Sequence, residues 1–206
     1  MKSNYDIMRD RMKLRFLEYD QGEMCKKFGL EMDGEYLYLS MVGVPYRVGR
    51  GTGLVECAED GQNWLEAGVN ASMTIFDVLC DSKPDCKLSG KFCTVNMLKN
   101  TVHGSRPGGY MFSKDAERFA GRVTELKVAC ERLGGTPEKV GDVSYRLDLF
   151  PFLPVIFQFW DADDEFPASL QFLWDENVLD FLHYETLFYA MGHLIHRLEK
   201  MMLEEK

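Results

Sequence analysis

The stretch that decides the fold is VSYRLDLFPFLPVIFQFWDADDEFPASLQFLWD, residues 143–175. Val143, Tyr145, Leu147 and Leu149 alternate with Ser144, Arg146 and Asp148, the period-two pattern of a strand with one buried face. Leu153 to Trp160 is almost wholly apolar, as suits a central strand covered on both faces. Ser169 to Trp174 alternates again through Leu170, Phe172 and Trp174. The short connection Asp161–Pro167 joins the second of these strands to the third, so the three predict an antiparallel meander.

Helical periodicity surrounds the meander. Leu187, Met191, Leu194, Leu198 and Met201 form one stripe of a terminal helix from about Tyr184 to Leu203. Upstream, Phe119, Val123, Leu126, Cys130 and Leu133 step by three and four, predicting one helix that starts after Ser113 and stops at Gly134-Gly135. Tyr5, Met8, Met12, Phe16 and Tyr19 predict an opening helix, capped by Ser3 or Asn4 and stopped at Phe28-Gly29. Strand-like runs follow at Tyr36–Val42, Val44–Val48 and Leu54–Cys57, the last two joined by the turn Gly49–Gly53. Asn70 is read as the cap of a helix through Ile75, Phe76, Val78 and Leu79 that ends before Pro84, and Lys91–Leu98 as a further strand. The order of elements is that of an α+β fold, an antiparallel sheet with a C-terminal three-stranded meander packed against amphipathic helices. At 206 residues the chain is one compact domain, 1–206, or two packed lobes at about 1–110 and 111–206.

Composition narrows the function classes. No apolar run reaches spanning length, since Leu147–Trp160 is interrupted by Asp148, two prolines and Gln158, so no membrane helix is expected. The first twenty residues mix bases with acids and contain no apolar core of a secretory signal, so a soluble cytoplasmic protein is expected. Eleven acids against three bases fall in Asp161–Lys206, which carries nearly all of the net charge of −9. No stripe of Lys and Arg exists to release phosphate counterions, so nucleic acid is not an expected partner. The six cysteines contain no C-x2-C pair, and most are expected to fill core space. Cys80, Cys86 and Cys93 are the one group to test for metal, and no cofactor is assigned.

Four segments hold residue types that could carry chemistry. His193-x-x-His196 lies opposite the apolar stripe of the terminal helix, so both histidines are expected at the surface. Gly49-x-Gly-x-Gly53 precedes a strand rather than a helix and lacks Lys-Ser or Lys-Thr, so it is a turn and not a phosphate cradle. Asp161-Ala-Asp-Asp-Glu-Phe-Pro167 packs four carboxylates into five residues, where mutual repulsion favours one raised pKa, useful for acid–base work or a hard cation. Phe166 and Phe172 stand where a calcium-binding EF-hand loop needs Gly and Glu, so that template fails. Against the chemical reading stands a charged hairpin turn that blocks edge pairing. Ser105-Arg106-Pro107-Gly108-Gly109 offers close backbone approach and a guanidinium for an anion.

Gly141-Asp142-Val143, Leu153-Pro154, Asp164-Glu165-Phe166-Pro167-Ala168 and Leu173-Trp174-Asp175 together resemble a family of uncharacterised prokaryotic domains of unknown function. The resemblance implies a family common in anaerobes, some members of which carry an upstream four-cysteine iron–sulfur segment. This chain has no such quartet, and the region before Tyr36 reads as an ordinary helix. Trp174 stands where the family favours phenylalanine, an exchange of one large apolar filler for another. What the resemblance implies is an accessory role near anaerobic cofactor or one-carbon metabolism.

The expected function is a soluble accessory domain that binds a small polar ligand or a protein partner. Arg106, Gly108 and Gly109 would hold an anionic group, and Asp161 and Asp163 would line the same groove. Asp164 and Glu165 would set its polarity. The alternative is a hydrolase or isomerase in which Asp164 and Glu165 are acid and base. In a third reading the family residues serve only the fold.

Overall fold

A computed structural model describes residues 4–99 and 112–203. The fold is α+β, with six α-helices and two antiparallel sheets among the described residues. The chain forms two compact units, and the division is interleaved. One unit takes Met1–Lys87, Phe150–Phe152 and Leu179–His193; the other takes Leu88–Leu149, Leu153–Val178 and Leu194–Lys206.

The first unit opens with α1 (Asn4–Phe16) and α2 (Gln21–Phe28). The predicted single opening helix is therefore two. Asp20 ends the run by accepting hydrogen bonds from the amides of Gly22 and Glu23, which makes it the cap of a new helix. The stop at Gly29 is as expected, with φ of 64°. The predicted apolar stripe on α1 does not describe its burial: Phe16 alone is buried, while Tyr5 and Met8 are exposed. Five strands follow in sequence order as a meander: β1 (Glu31–Met32), β2 (Tyr36–Met41), β3 (Val44–Gly49), β4 (Val55–Cys57) and β5 (Leu65–Glu66). The β3–β4 turn brings Gly53 so close to α1 that a Cβ there would lie 2.5 Å from the Lys13 carbonyl oxygen, and its φ of 65° also demands glycine.

Helix α3 (Val69–Asp81) starts at Gly68, not Asn70, and ten of its thirteen residues are buried. Such a helix is covered nearly all round and carries the core of its unit. Phe76 meets Phe16 of α1 at 6.1 Å between ring centroids.

The second unit is built on the sheet order β6-β10-β9-β8-β7. The meander appears as read from sequence: β8 (Val143–Phe150), β9 (Leu153–Trp160) and β10 (Ser169–Asp175). Its register opposes Phe172 to Phe157 and Trp174 to Val155. The short strands β6 (Phe92–Thr94) and β7 (Thr136–Pro137) flank it. The predicted strand at 91–98 thus shrinks to three residues, because Val95–Met97 winds into a 3-10 turn.

The long helix predicted from Ser113 is also two, α4 (Ser113–Phe119) and α5 (Val123–Arg132). Gly121 at φ 71° breaks the run, and its amide donates to the Asp161 carboxylate at 2.9 Å. Phe119 packs edge-on to Phe157 and Phe159, at 6.4 and 6.2 Å. Helix α6 (Tyr184–Leu203) spans the residues predicted for it.

Candidate functional site

The acidic turn sits between β9 and β10, and its carboxylates are largely engaged by the backbone. Asp163 accepts hydrogen bonds from the amides of Glu165 at 2.8 Å and Phe166 at 2.7 Å, closing the tip of the turn. Asp161 accepts from Gly121 and Ala162, and Asp142 accepts from the Asp161 amide at 2.8 Å. Asp142 is itself placed by Gly141, whose φ is 95° and whose missing side chain would lie 2.7 Å from the Phe159 carbonyl oxygen. The glycine–aspartate pair thus anchors the base of the turn.

These bonds change the electrostatics anticipated from the sequence. The amides of Phe166 and Glu165 stabilise the Asp163 carboxylate and hold its pKa below the ordinary 3.8, opposite to the raised value that crowding of acids favours.

Beside the turn lies a cavity of about 520 Å³ in the second unit. Trp160 and Phe166 supply aromatic surface, while Glu117, Asp142, Asp161 and Asp163 supply carboxylates. No Lys or Arg lines it among the described residues. Phe166, at the tip of the turn, is 66% exposed. Of the residues nominated from sequence, Asp161 and Asp163 meet at this cavity. Asp164 and Glu165 are exposed and do not line it. Arg106, Gly108 and Gly109, with the rest of the 103–109 loop, lie outside the described residues. The sequence reading overlooked Trp160, read only as a strand residue, and Glu117, which a helix and not the turn delivers.

Half of the six cysteines fill core space, and Cys57, Cys86 and Cys93 are half-buried. Cys25, Cys80 and Cys130 are buried. Burial pushes the Cys80 thiol up to about 12 and raises those of Cys86 and Cys93. Cys80 and Cys86 belong to the first unit and Cys93 to the second. Among the described residues, no cysteine takes part in a three-residue cluster of metal-ligating atoms.

His193 corrects the surface expectation. It is 6% exposed, and its Nε2 lies 3.2 Å from the Tyr46 hydroxyl inside the first unit. Helical periodicity locates the most apolar side of α6 but not what covers the opposite side, and Thr186, His193 and Arg197 are buried there too. His196 is exposed as expected.

A second constellation, in the first unit, escaped the sequence reading altogether. Asp77 in α3 is 5% exposed and accepts two hydrogen bonds from His183: the backbone amide at 2.7 Å and ring Nδ1 at 2.5 Å. The bond to Asp77 raises the His183 pKa above its ordinary 6.5. One helical turn further, Asp81 receives both terminal nitrogens of Arg15, one of them at 2.7 Å. The available signal was Asp77 itself, a single acid inside the apolar run Ile75-Phe76-Asp77-Val78-Leu79.

Asp175, which closes β10, is fully buried. It accepts three backbone amides, from Ser89, Gly90 and Asn177, at 2.9, 2.7 and 2.9 Å. Its role is to fix two loops of the second unit, and the same holds in kind for Asp142. Trp174 beside it is fully buried, and its indole nitrogen has no hydrogen-bond partner among the described residues, as suits a position that serves as an apolar filler.

No helix of the described residues is long and apolar enough to cross a membrane. No curated protein and no solved structure matches the chain. A family model does, over residues 20–197, and the chain belongs to the family it describes, Domain of unknown function (DUF3786).

Proposed function

We propose that this is a small-ligand-binding domain, with its site in the cavity beside the Asp161–Pro167 turn and a ligand that carries positive charge. The observation that carries this reading is the combination of Trp160 and the exposed Phe166 with four carboxylates and no facing base among the described residues. An aromatic face and a carboxylate both attract an ammonium or guanidinium group, and partial desolvation in a cavity strengthens the attraction. A cavity of about 520 Å³ suits a small organic molecule. The oxygens not used by backbone amides are the available acceptors. The acid–base reading is supported less, because Asp164 and Glu165 stand in solvent outside the cavity. The resemblance adds a setting to this proposal, an accessory role in anaerobic cofactor or one-carbon metabolism inside a prokaryotic cytoplasm.

The test is a titration of the protein with primary amines, guanidinium compounds and quaternary ammonium compounds, beside carboxylates of matched size. Tryptophan fluorescence and melting temperature are the readouts. The expected result is stabilisation by cations alone, with affinity lowered about tenfold or more by Trp160→Ala, since a desolvated cation–π contact is worth about 2 kcal/mol. Stabilisation by anions alone, or by neither class at millimolar concentration, overturns the reading.

A further inference from the structure

We propose that Asp77, Asp81 and His183 form a binding site for one divalent transition-metal ion in the first unit, separate from the cavity of the second. Each of the three offers a ligand atom, and these atoms all lie within 4.8 Å of one another. Asp77 and Asp81 are four residues apart on α3 and so share one side of that helix. His183 comes from the residue before α6 and is fixed by its double bond to Asp77. Two carboxylates and one imidazole make an oxygen–nitrogen set that suits manganese, iron(II) or zinc and lacks the thiolates that copper(I) prefers.

The independent observation is the charge balance of a buried group. A carboxylate taken out of water needs a paired cation or a metal. Asp77 is 5% exposed, and among the described residues no Lys or Arg lies within ion-pair distance of it. Its one side-chain partner is the imidazole of His183, a group that carries no fixed charge. Asp81, in turn, is held by Arg15. Arg15 is thus the one fixed positive charge that the described residues set against these two carboxylates, where a doubly charged ion would serve both.

Binding is therefore an exchange. The ion takes the place of the proton between Asp77 and Nδ1, that proton passes to solvent, and Arg15 leaves Asp81. The site can open: the side chains of Arg15 and His183 are 43% and 66% exposed. That exposure also leaves room for water to complete the coordination shell. Arg15 acts as the competing cation of the site.

The experiment uses the full chain after chelator treatment. Manganese(II) is the probe, because a hard ion avoids the cysteines, and it is followed by calorimetry and by electron paramagnetic resonance. One ion per chain is expected, with affinity falling about tenfold or more in both Asp81→Asn and His183→Gln, and rising in Arg15→Gln. The substituted residues are partly or largely exposed, and circular dichroism of the variants confirms their fold. Absence of stoichiometric binding overturns the proposal, as does binding that both Asp81→Asn and His183→Gln leave unchanged. Either result leaves the cluster as two ion pairs. Because the probe and the residues differ from those of the cavity, failure of one reading does not carry over to the other.

Discussion

The two acidic constellations use carboxylates in opposite ways. In the Asp161–Pro167 turn the acids are adjacent in sequence and mostly exposed, and backbone amides consume much of their bonding capacity. In the Asp77–Asp81–His183 cluster the members come from distant parts of the chain, and the central acid is buried against a single imidazole. Density of charge along a sequence reports turn-building, because acids a few residues apart find free amides close at hand. A lone acid inside an apolar helix reports a tertiary contact, because a buried charge persists only where something distant answers it.

The comparison predicts unequal costs. Asp77→Ala, measured by urea unfolding of chelator-treated protein, is expected to cost about 3 kcal/mol, since it removes a buried charged acceptor from two donors. A double-mutant cycle with His183→Ala sharpens the point. The coupling between the two should exceed about 1 kcal/mol, and additivity would show that Asp77 is stabilised by something other than the imidazole.

The turn's weak point is its base rather than its acids. Gly141→Ala is expected to cost about 2 kcal/mol, from a side chain forced to positive φ and a Cβ 2.7 Å from the Phe159 carbonyl oxygen. It should also disturb the cavity, because Asp142 and Asp161 follow from that residue's position. A melting temperature within a degree of the parent would show that the β8–β9 edge can shift to admit the methyl group.

How far these sites could be read from sequence follows from the range of the interactions that make them. The meander was legible because strand alternation at 143–149 and 169–174 and the apolar run at 153–160 are local patterns, and α6 because its stripe is long. Two helices read as single are broken, at Asp20 and at Gly121, and in the second the apolar period from Phe119 to Val123 runs across the break. In each case the decisive event was a carboxylate capturing an amide, by Asp20 within its own turn and by Asp161 forty residues away. Periodicity cannot register such a capture. Half of the cavity's carboxylates were legible, Asp161 and Asp163, which the sequence nominated for their density. Glu117 enters through the packing of α4 against β10, Trp160 from the end of β9 where it pairs with Ser169, and His183 through its contact with α3. At Gly141, Asp142 and Asp175, special backbone geometry or bonds to amides account for the local structure.

The smallest effect is also the most diagnostic of the turn. Asp163→Asn keeps the size of the side chain and one acceptor oxygen but removes the charge that the amides of Phe166 and Glu165 favour. Because those amides lower the folded-state pKa below 3.8, the carboxylate contributes stability above that pH, and the contribution fades as pH falls through the lowered value. Wild type should therefore unfold at slightly higher urea than Asp163→Asn at pH 7, with the gap closing towards pH 2. A gap that stays constant across this range would mean that the asparagine amide, not the lost charge, weakens the turn. The favourable charge–amide interaction would then be missing from the energetics, and with it the difference in kind between this turn and the buried cluster around Asp77.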